Sequence, residues 1–168
     1  TVNAEGTQMT VDAHVAPDAA LTSRPATVVN TDGGRTTSAE PLLDVLAPPV
    51  VTSIAPTHIG QGADDATVRV TGVGLADNAV ISFGTGTTTV SVTPVGEDHT
   101  TLDVVIDVAP DAPTGNGAHD LTATNPDTSV AMLADALFVD PLPTITSLTP
   151  ATIGQGAEFW PIHVTGTG

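Results

Sequence analysis

The chain has no cysteine, no tyrosine and no lysine. Without cysteine there is no disulfide, no thiol nucleophile and no thiolate metal ligand. Aromatic residues are scarce, three Phe and one Trp in 168 residues, so Trp160 alone could serve as a sugar-stacking platform. Positive charge is scarcer still: Arg24, Arg35 and Arg69 stand against 19 acidic residues, a formal net charge of −16. Such a surface repels nucleic-acid phosphates and anionic lipid, because affinity for either rests on Lys and Arg. That excludes a role on DNA, RNA or an anionic membrane surface. No apolar run approaches the length needed to span a bilayer, so no membrane insertion is expected of this segment. The chain opens on "TVNAEGT" with no Met and no signal peptide, and stops at "VTGTG". It reads as a stretch cut from something longer.

What is present is a foldable β composition. Hydrophobic residues make up 40% and mean hydropathy is +0.20, which an acidic disordered tail would not show. Val and Thr dominate and suit a pleated, half-buried surface. The 14 Pro and 16 Gly divide the chain into short segments.

The strongest signal is internal. "VVTSIAPTHIGQGADDATVRVTGVG" (50–74) returns as "TITSLTPATIGQGAEFWPIHVTGTG" (144–168), with Ile153 following Ile59 by 94 positions. "TQMTVDAHVAPDA" (7–19) aligns with "TTLDVVIDVAPDA" (100–112) at an offset of 93. "VVNTD" (28–32) aligns with "ATNPD" (123–127), and "AEPLLD" (39–44) with "ADALFV" (134–139), at 95. Four collinear matches with small compensated drifts describe a repeating unit the size of a domain, not a solenoid turn. The expected organisation is therefore residues 1–46 as the back half of one unit, 47–140 as a complete unit, and 141–168 as the front of a third.

Within the complete unit, strands are expected near 50–54, 67–72, 79–84, 89–93, 101–108, 118–124 and 135–139. No segment shows a 3.6-residue apolar stripe, so the fold class is all-β: tandem immunoglobulin-like β-sandwiches of about 94 residues. Comparing copies separates core from surface. Leu102, Val104, Ile106 and Val108 are matched by Met9, Val11, Ala13 and Val15, whereas Asp103, Val105 and Asp107 are matched by Thr10, Asp12 and His14. The first set is expected inside and the second outside. By the same test Leu121 and Ala123 (with Ala26 and Val28), Phe138 (with Leu43), and Val68 and Val70 (with Ile162 and Val164) face inward. Ile81 and Phe83 join them by alternation.

The Pro-flanked strand "PVVTSIAP" (49–56), the loop "IGQGA" (59–63), "VRVTG" (68–72), "AVISFG" (79–84), "VAPDAPTG" (108–115) and "ATNPD" (123–127) together resemble the IPT/TIG family of immunoglobulin-like domains. The resemblance covers the whole 94-residue unit and part of both flanks. It implies sandwich modules strung in tandem on a bacterial or archaeal cell-surface or secreted protein, or serving as a non-catalytic spacer of a secreted enzyme.

Chemistry is hard to place. His14, His58, His99, His119 and His163 form no i,i+2 or i,i+4 pair of the kind that holds a metal, and all five are expected to be solvated. Acidic residues gather at Asp64–Asp65, Glu97–Asp98, Asp111 and Asp127. Calcium at module junctions is the one cofactor such carboxylates would suit. But no D-x-[DN]-x-[DN]-G loop exists, and Asp64–Asp65 become Glu158–Phe159 in the next copy, so the expectation is a solvated acidic surface. No G-x-S-x-G elbow and no repeated Ser/His/Asp set is present, and no enzyme is expected. Phe159 and Trp160 replace Asp65 and Ala66; they read either as an interface anchor or, preferred, as packing against the linker "DPLP" (140–143).

In "IGQGA" no helix follows to point its N-terminus at a phosphate, so a nucleotide loop is excluded by context. Gly60, Gly62, Gly154 and Gly156 are expected to be structural turn residues supplying positive φ. The functional expectation is a non-catalytic repeat region of an extracellular protein, forming a stalk, adhesin array or fibre. Its partners would be neighbouring copies of the same repeat, in a tandem array or as a homopolymer in which the tail of one copy completes the head of the next. The alternative is a spacer module of a secreted polysaccharide-active hydrolase, and a soluble ligand-binding module is disfavoured by the shortage of aromatics.

Overall fold

The computed structural model describes residues 1–3, 5–96, 98, 100–115 and 119–168; the expectations for Glu97 and His99 lie outside them. The fold is all-β, and the chain divides into two compact units, Thr1–Ala47 and Pro48–Gly168.

The first unit carries four short strands: β1 (Ser23–Arg24), β2 (Thr27–Val29), β3 (Arg35–Thr37) and β4 (Leu43–Asp44). They pair as one interrupted hairpin, β2 with β3 and β1 with β4. Residues 7–15, expected to form an alternating strand, form none; an isolated bridge joins Val2 to Met9. Met9, Val11, Ala13, Val15, Ala26, Val28 and Leu43, expected inside, are all exposed. The reason is physical: among the described residues of this unit no flanking strands and no second sheet lie against them, and a lone hairpin cannot bury a face.

The second unit contains a complete sandwich. Its strands are β5 (Val50–Ala55), β6 (His58–Gly60), β7 (Ala66–Val73), β8 (Val80–Ser82), β9 (Thr87–Pro94), β10 (Thr101–Val108), β11 (His119–Thr124) and β12 (Val130–Asp140). One sheet has the order β5-β7-β10-β9, the other β6-β12-β11-β8. In β10 the period-two pattern puts Leu102, Val104, Ile106 and Val108 fully inside, facing Val70 and Val68 of β7 in register. Phe83, Ile81, Leu121 and Leu137 close the core from the other sheet. Each such side chain contributes roughly 1.5–3 kcal/mol by leaving water, so the core is the dominant stabilising term.

Two features depart from expectation. His58–Gly60 is a strand, parallel to the end of β12 with Phe138, Val139 and Asp140 opposite His58, Ile59 and Gly60; Ile59 is buried in the core. And β12 is longer than 135–139, with a bulge between the pairs Leu121↔Leu133 and His119↔Leu137. Asp135 takes φ 52° there, and its N–H donates to Asp120 Oδ1 at 2.8 Å. Past the bulge Leu137 and Val139 point inward, and Phe138, expected inside, is only half-buried.

The unit ends in a second hairpin, β13 (Thr144–Thr149) with β14 (His163–Thr167). Each of its five pairs is a β5–β7 pair moved by 94 positions: Val50↔Val73 becomes Thr144↔Thr167, and Ile54↔Val70 becomes Leu148↔Val164. The bulge between Val51 and Ser53 recurs between Ile145 and Ser147. So does its glycine, since a Cβ on Gly72 would overlap the Val50 carbonyl oxygen, and one on Gly166 the Thr144 carbonyl oxygen. Thr52 and Thr146 hydroxyls both donate across the pair at 3.0 Å, to the Thr71 and Thr165 carbonyls. The X-Pro bonds at Pro56 and Pro150 are both cis. The repeat is thus one of backbone geometry as well as letters. In the hairpin, however, Ile162 and Val164, expected inside, are exposed, because among the described residues no β10-like strand and no opposing sheet stand over them.

Candidate functional site

Where the chain leaves the sandwich, one side chain gathers several hydrogen bonds. The loop "IGQGA" begins as β6, which lies along the last residues of β12. Gln61 follows Gly60 and is placed beside the departing chain. Its N–H donates to the Asp140 carbonyl at 2.8 Å. Its side-chain Oε1 accepts from the Leu142 N–H at 3.1 Å, and its Nε2 donates to the Ala112 carbonyl at 2.7 Å. One residue therefore ties together the loop after β6, the turn after β10, and the linker after β12. Gly62 then turns the chain at φ 71°, with Leu142 Cδ2 standing 3.3 Å from where its Cβ would be. The turn closes by Ala63 N–H donating to the Gly60 carbonyl, and Val108 N–H donates to the Ala63 carbonyl.

Beside this clamp, His58 stacks on Phe138 with ring centroids 4.9 Å apart, and its Nδ1 lies 3.1 Å from Asp140 Oδ1. With Thr114, Gly115, Val139 and Pro141 they line a shallow depression of about 230 Å³. That is below the range of small-molecule sites and it opens to solvent. A second depression, at Ala55, Pro56, Thr67, Arg69 and Asp103, is a surface hollow beside an ion pair. There Arg69 Nε and Nη2 donate to the two carboxylate oxygens of Asp103 at 2.8 and 3.0 Å. The hydrogen bond from Arg69 holds the Asp103 carboxylate below its ordinary pKa, and Asp103 in turn raises that of Arg69. Ser129 does the same for Asp127, through its hydroxyl at 2.6 Å and its N–H at 3.0 Å. These are turn and surface contacts.

The expected turn glycines split into two kinds. Gly62 and Gly156 hold positive φ, 71° and 84°. Gly60 and Gly154 do not: neither lies in the left-handed region, and nothing would obstruct a Cβ on either. Gly60 is instead a strand residue paired with Asp140, so its expected role as a positive-φ turn residue is corrected. Phe159 and Trp160 are 101% and 60% exposed, so packing against residues 140–143 does not bury Trp160. Phe159 repeats the φ of Asp65, 54° against 51°.

Of the histidines, His14, His58 and His163 are exposed, but His119 is not. It is 1% exposed, with Nδ1 3.0 Å from the Phe83 carbonyl oxygen and Nε2 3.0 Å from that of Pro113. It belongs to the core, where it joins β11 to the end of β8 and to the loop after β10. Its sequence signal was its parity, since it alternates with the inward residues Leu121 and Ala123. Among the described residues no three His, Asp or Glu side chains gather as a metal ion would require, and no helix is long and apolar enough to cross a membrane.

No family model matches the chain, and no curated protein matches it. Among solved structures, the chain is similar to SGBP-B from a complex xyloglucan utilization locus in Bacteroides uniformis, at 20% identity and a TM-score of 0.42. The alignment covers 84% of this chain, which spans 39% of that protein's length.

Proposed function

We propose that this chain is a stretch of a tandem array of immunoglobulin-like modules of IPT/TIG type, a non-catalytic stalk or fibre of an extracellular protein. One observation carries the reading: the β5–β7 geometry recurs pair for pair 94 residues later as β13–β14, directly after a linker that Gln61 fastens to the module before it. A spacer needs modules that repeat and junctions that do not flex freely, and Pro-containing linkers with a side-chain clamp supply the second. The net charge of −16 keeps such an array soluble.

The test has two parts. Intact source cells are labelled with an antibody to residues 47–140, before and after permeabilisation, and the full-length protein is imaged by electron microscopy. Surface labelling without permeabilisation and a beaded, extended particle are expected. Labelling confined to permeabilised cells, or a compact single globule, would overturn the proposal.

A further inference from the structure

We infer that the Asp140–Pro141 peptide bond is a self-cleaving junction: in mild acid the side chain of Asp140 breaks its own bond to Pro141. This rests on the geometry of that junction, independently of the array reading.

The sequence contains one Asp–Pro dipeptide, and it falls where β12 ends and the linker begins. Such a bond is chemically weak. The aspartate carboxylate can close a five-membered ring on its own main-chain carbonyl carbon, an intramolecular attack with the advantage of enforced proximity. The proline nitrogen carries no hydrogen and sits in a tertiary amide, so it takes up a proton and departs more readily than an ordinary amide nitrogen.

The fold adds three groups to this weak bond. The Gln61 N–H donates to the Asp140 carbonyl oxygen at 2.8 Å, where negative charge develops as the carbonyl carbon is attacked. Gln61 Oε1 accepts from the Leu142 N–H at 3.1 Å, so the same residue holds the chain on the leaving side and the bond is fixed from both ends. His58 Nδ1 lies 3.1 Å from Asp140 Oδ1, and its ring is held by stacking on Phe138. An imidazole gains its second proton between about pH 5 and 8, so in mild acid a proton donor stands beside the nucleophile. Among the residues lining this depression, His58 and Asp140 are the titratable groups; Thr114, Gly115, Phe138, Val139 and Pro141 carry no charge. The His58 and Asp140 side chains are 59% and 57% exposed, so water reaches them.

In the proposed step one Asp140 carboxylate oxygen bonds to the Asp140 carbonyl carbon, and the C–N bond to Pro141 breaks. The electron pair of that bond stays on nitrogen, which takes the proton from the imidazolium, directly or through solvent. One water then opens the cyclic anhydride left on Asp140. The products are a chain ending in Asp140 and a chain beginning with the proline amine.

Gln61 and Gly62 recur as Gln155 and Gly156, whereas His58 becomes Thr152 and Asp140 becomes Val45. The other linker, "APPV" (47–50), has proline without aspartate. Imidazole, carboxylate and proline therefore come together at one junction, and the cut lies past Val139, the last core residue of β12.

The full 168-residue chain is held at about pH 5 and followed by intact-mass spectrometry, beside the same chain unfolded in urea at that pH. The expected products are fragments 1–140 and 141–168, formed about tenfold or more faster in the folded chain. Asp140→Ala and Pro141→Ala should abolish them. His58→Gln keeps a hydrogen-bond donor but no titrating proton; it should slow cleavage by about tenfold or more and flatten its rise between about pH 7 and 5. Circular dichroism melts establish that each variant is folded before its rate is compared. A folded chain that stays intact, or that is cut no faster than in urea, overturns the inference. So does unchanged cleavage in His58→Gln, or the same fragments from Asp140→Ala. The comparison of folded with unfolded parent needs no variant, so a substitution that fails to fold leaves the test standing.

Discussion

Replacing Gln61 by alanine should loosen the module at its exit while leaving the core untouched. Two side-chain hydrogen bonds are lost, from Leu142 N–H and to the Ala112 carbonyl, the second partly buried. At a net of about 0.5–1.5 kcal/mol each, the cost is about 1–3 kcal/mol. For a domain of this size that lowers Tm by roughly 5–20 °C. The Leu142 amide should also exchange faster with deuterium, having lost its acceptor. The control lies in the same chain: Gln155 sits in an identical pentapeptide but is exposed, and among the described residues no side-chain hydrogen bond holds it. Gln155→Ala should therefore stay within about 0.5 kcal/mol of the parent. Urea titrations of both variants, with exchange measured at Leu142, decide the matter. Equal losses for the two variants, or none for Gln61→Ala, would show that the motif acts through its glycines alone.

Glycine substitutions should separate the remaining roles. Gly60→Ala should be tolerated within about 0.5 kcal/mol, whereas Gly62→Ala should cost about 1–2 kcal/mol for its left-handed backbone, as read by urea midpoints. His119→Phe should cost about 1–3 kcal/mol, because the carbonyl, of Phe83 or Pro113, that accepts the imidazole N–H loses its donor; a neutral result would mean that carbonyl finds water. Stability should fall in acid with a defined sign. Asp103 and Asp127 have depressed folded-state pKa values, so their contribution is present above the unfolded carboxylate range near pH 4 and is lost as pH drops below it. Asp103→Asn combined with Asp127→Asn should flatten that acid limb of a stability–pH curve, and an unchanged slope would refute the assignment.

How much of this was legible in the sequence depended on whether a residue's partners were local. The strand β10 was readable because its period of two is intrinsic to eight residues. β6 was not: its three residues sit among turn formers, and the strand that pairs with it begins some 70 residues later in the chain. Phe138 was assigned to the wrong side because the bulge at Asp135 gives β12 an irregular register that alternation alone cannot foresee. The repeat correctly named apolar positions such as Met9, Val11 and Val164, but apolar character records what a position can bury, and burial itself requires strands that these segments lack. At the junction, the glycines of "IGQGA" carry the visible turn signal, whereas the contacts belong to the glutamine between them. Its retention in both copies, while the following Asp64–Asp65 changed to Glu158–Phe159, was the available signal.

The parallel pairing of β6 with β12 has a mechanical meaning. When the chain is stretched, force enters a module ahead of β5 and leaves beyond β12. The strands β6 and β12 run side by side in the same direction near those two points, so tension slides them past one another along their length. Sliding loads the backbone bonds between His58–Gly60 and Phe138–Asp140 together, whereas an antiparallel hairpin pulled at its open end parts one bond at a time. Three residues within a stretch of turn formers therefore couple the start of the module to its end.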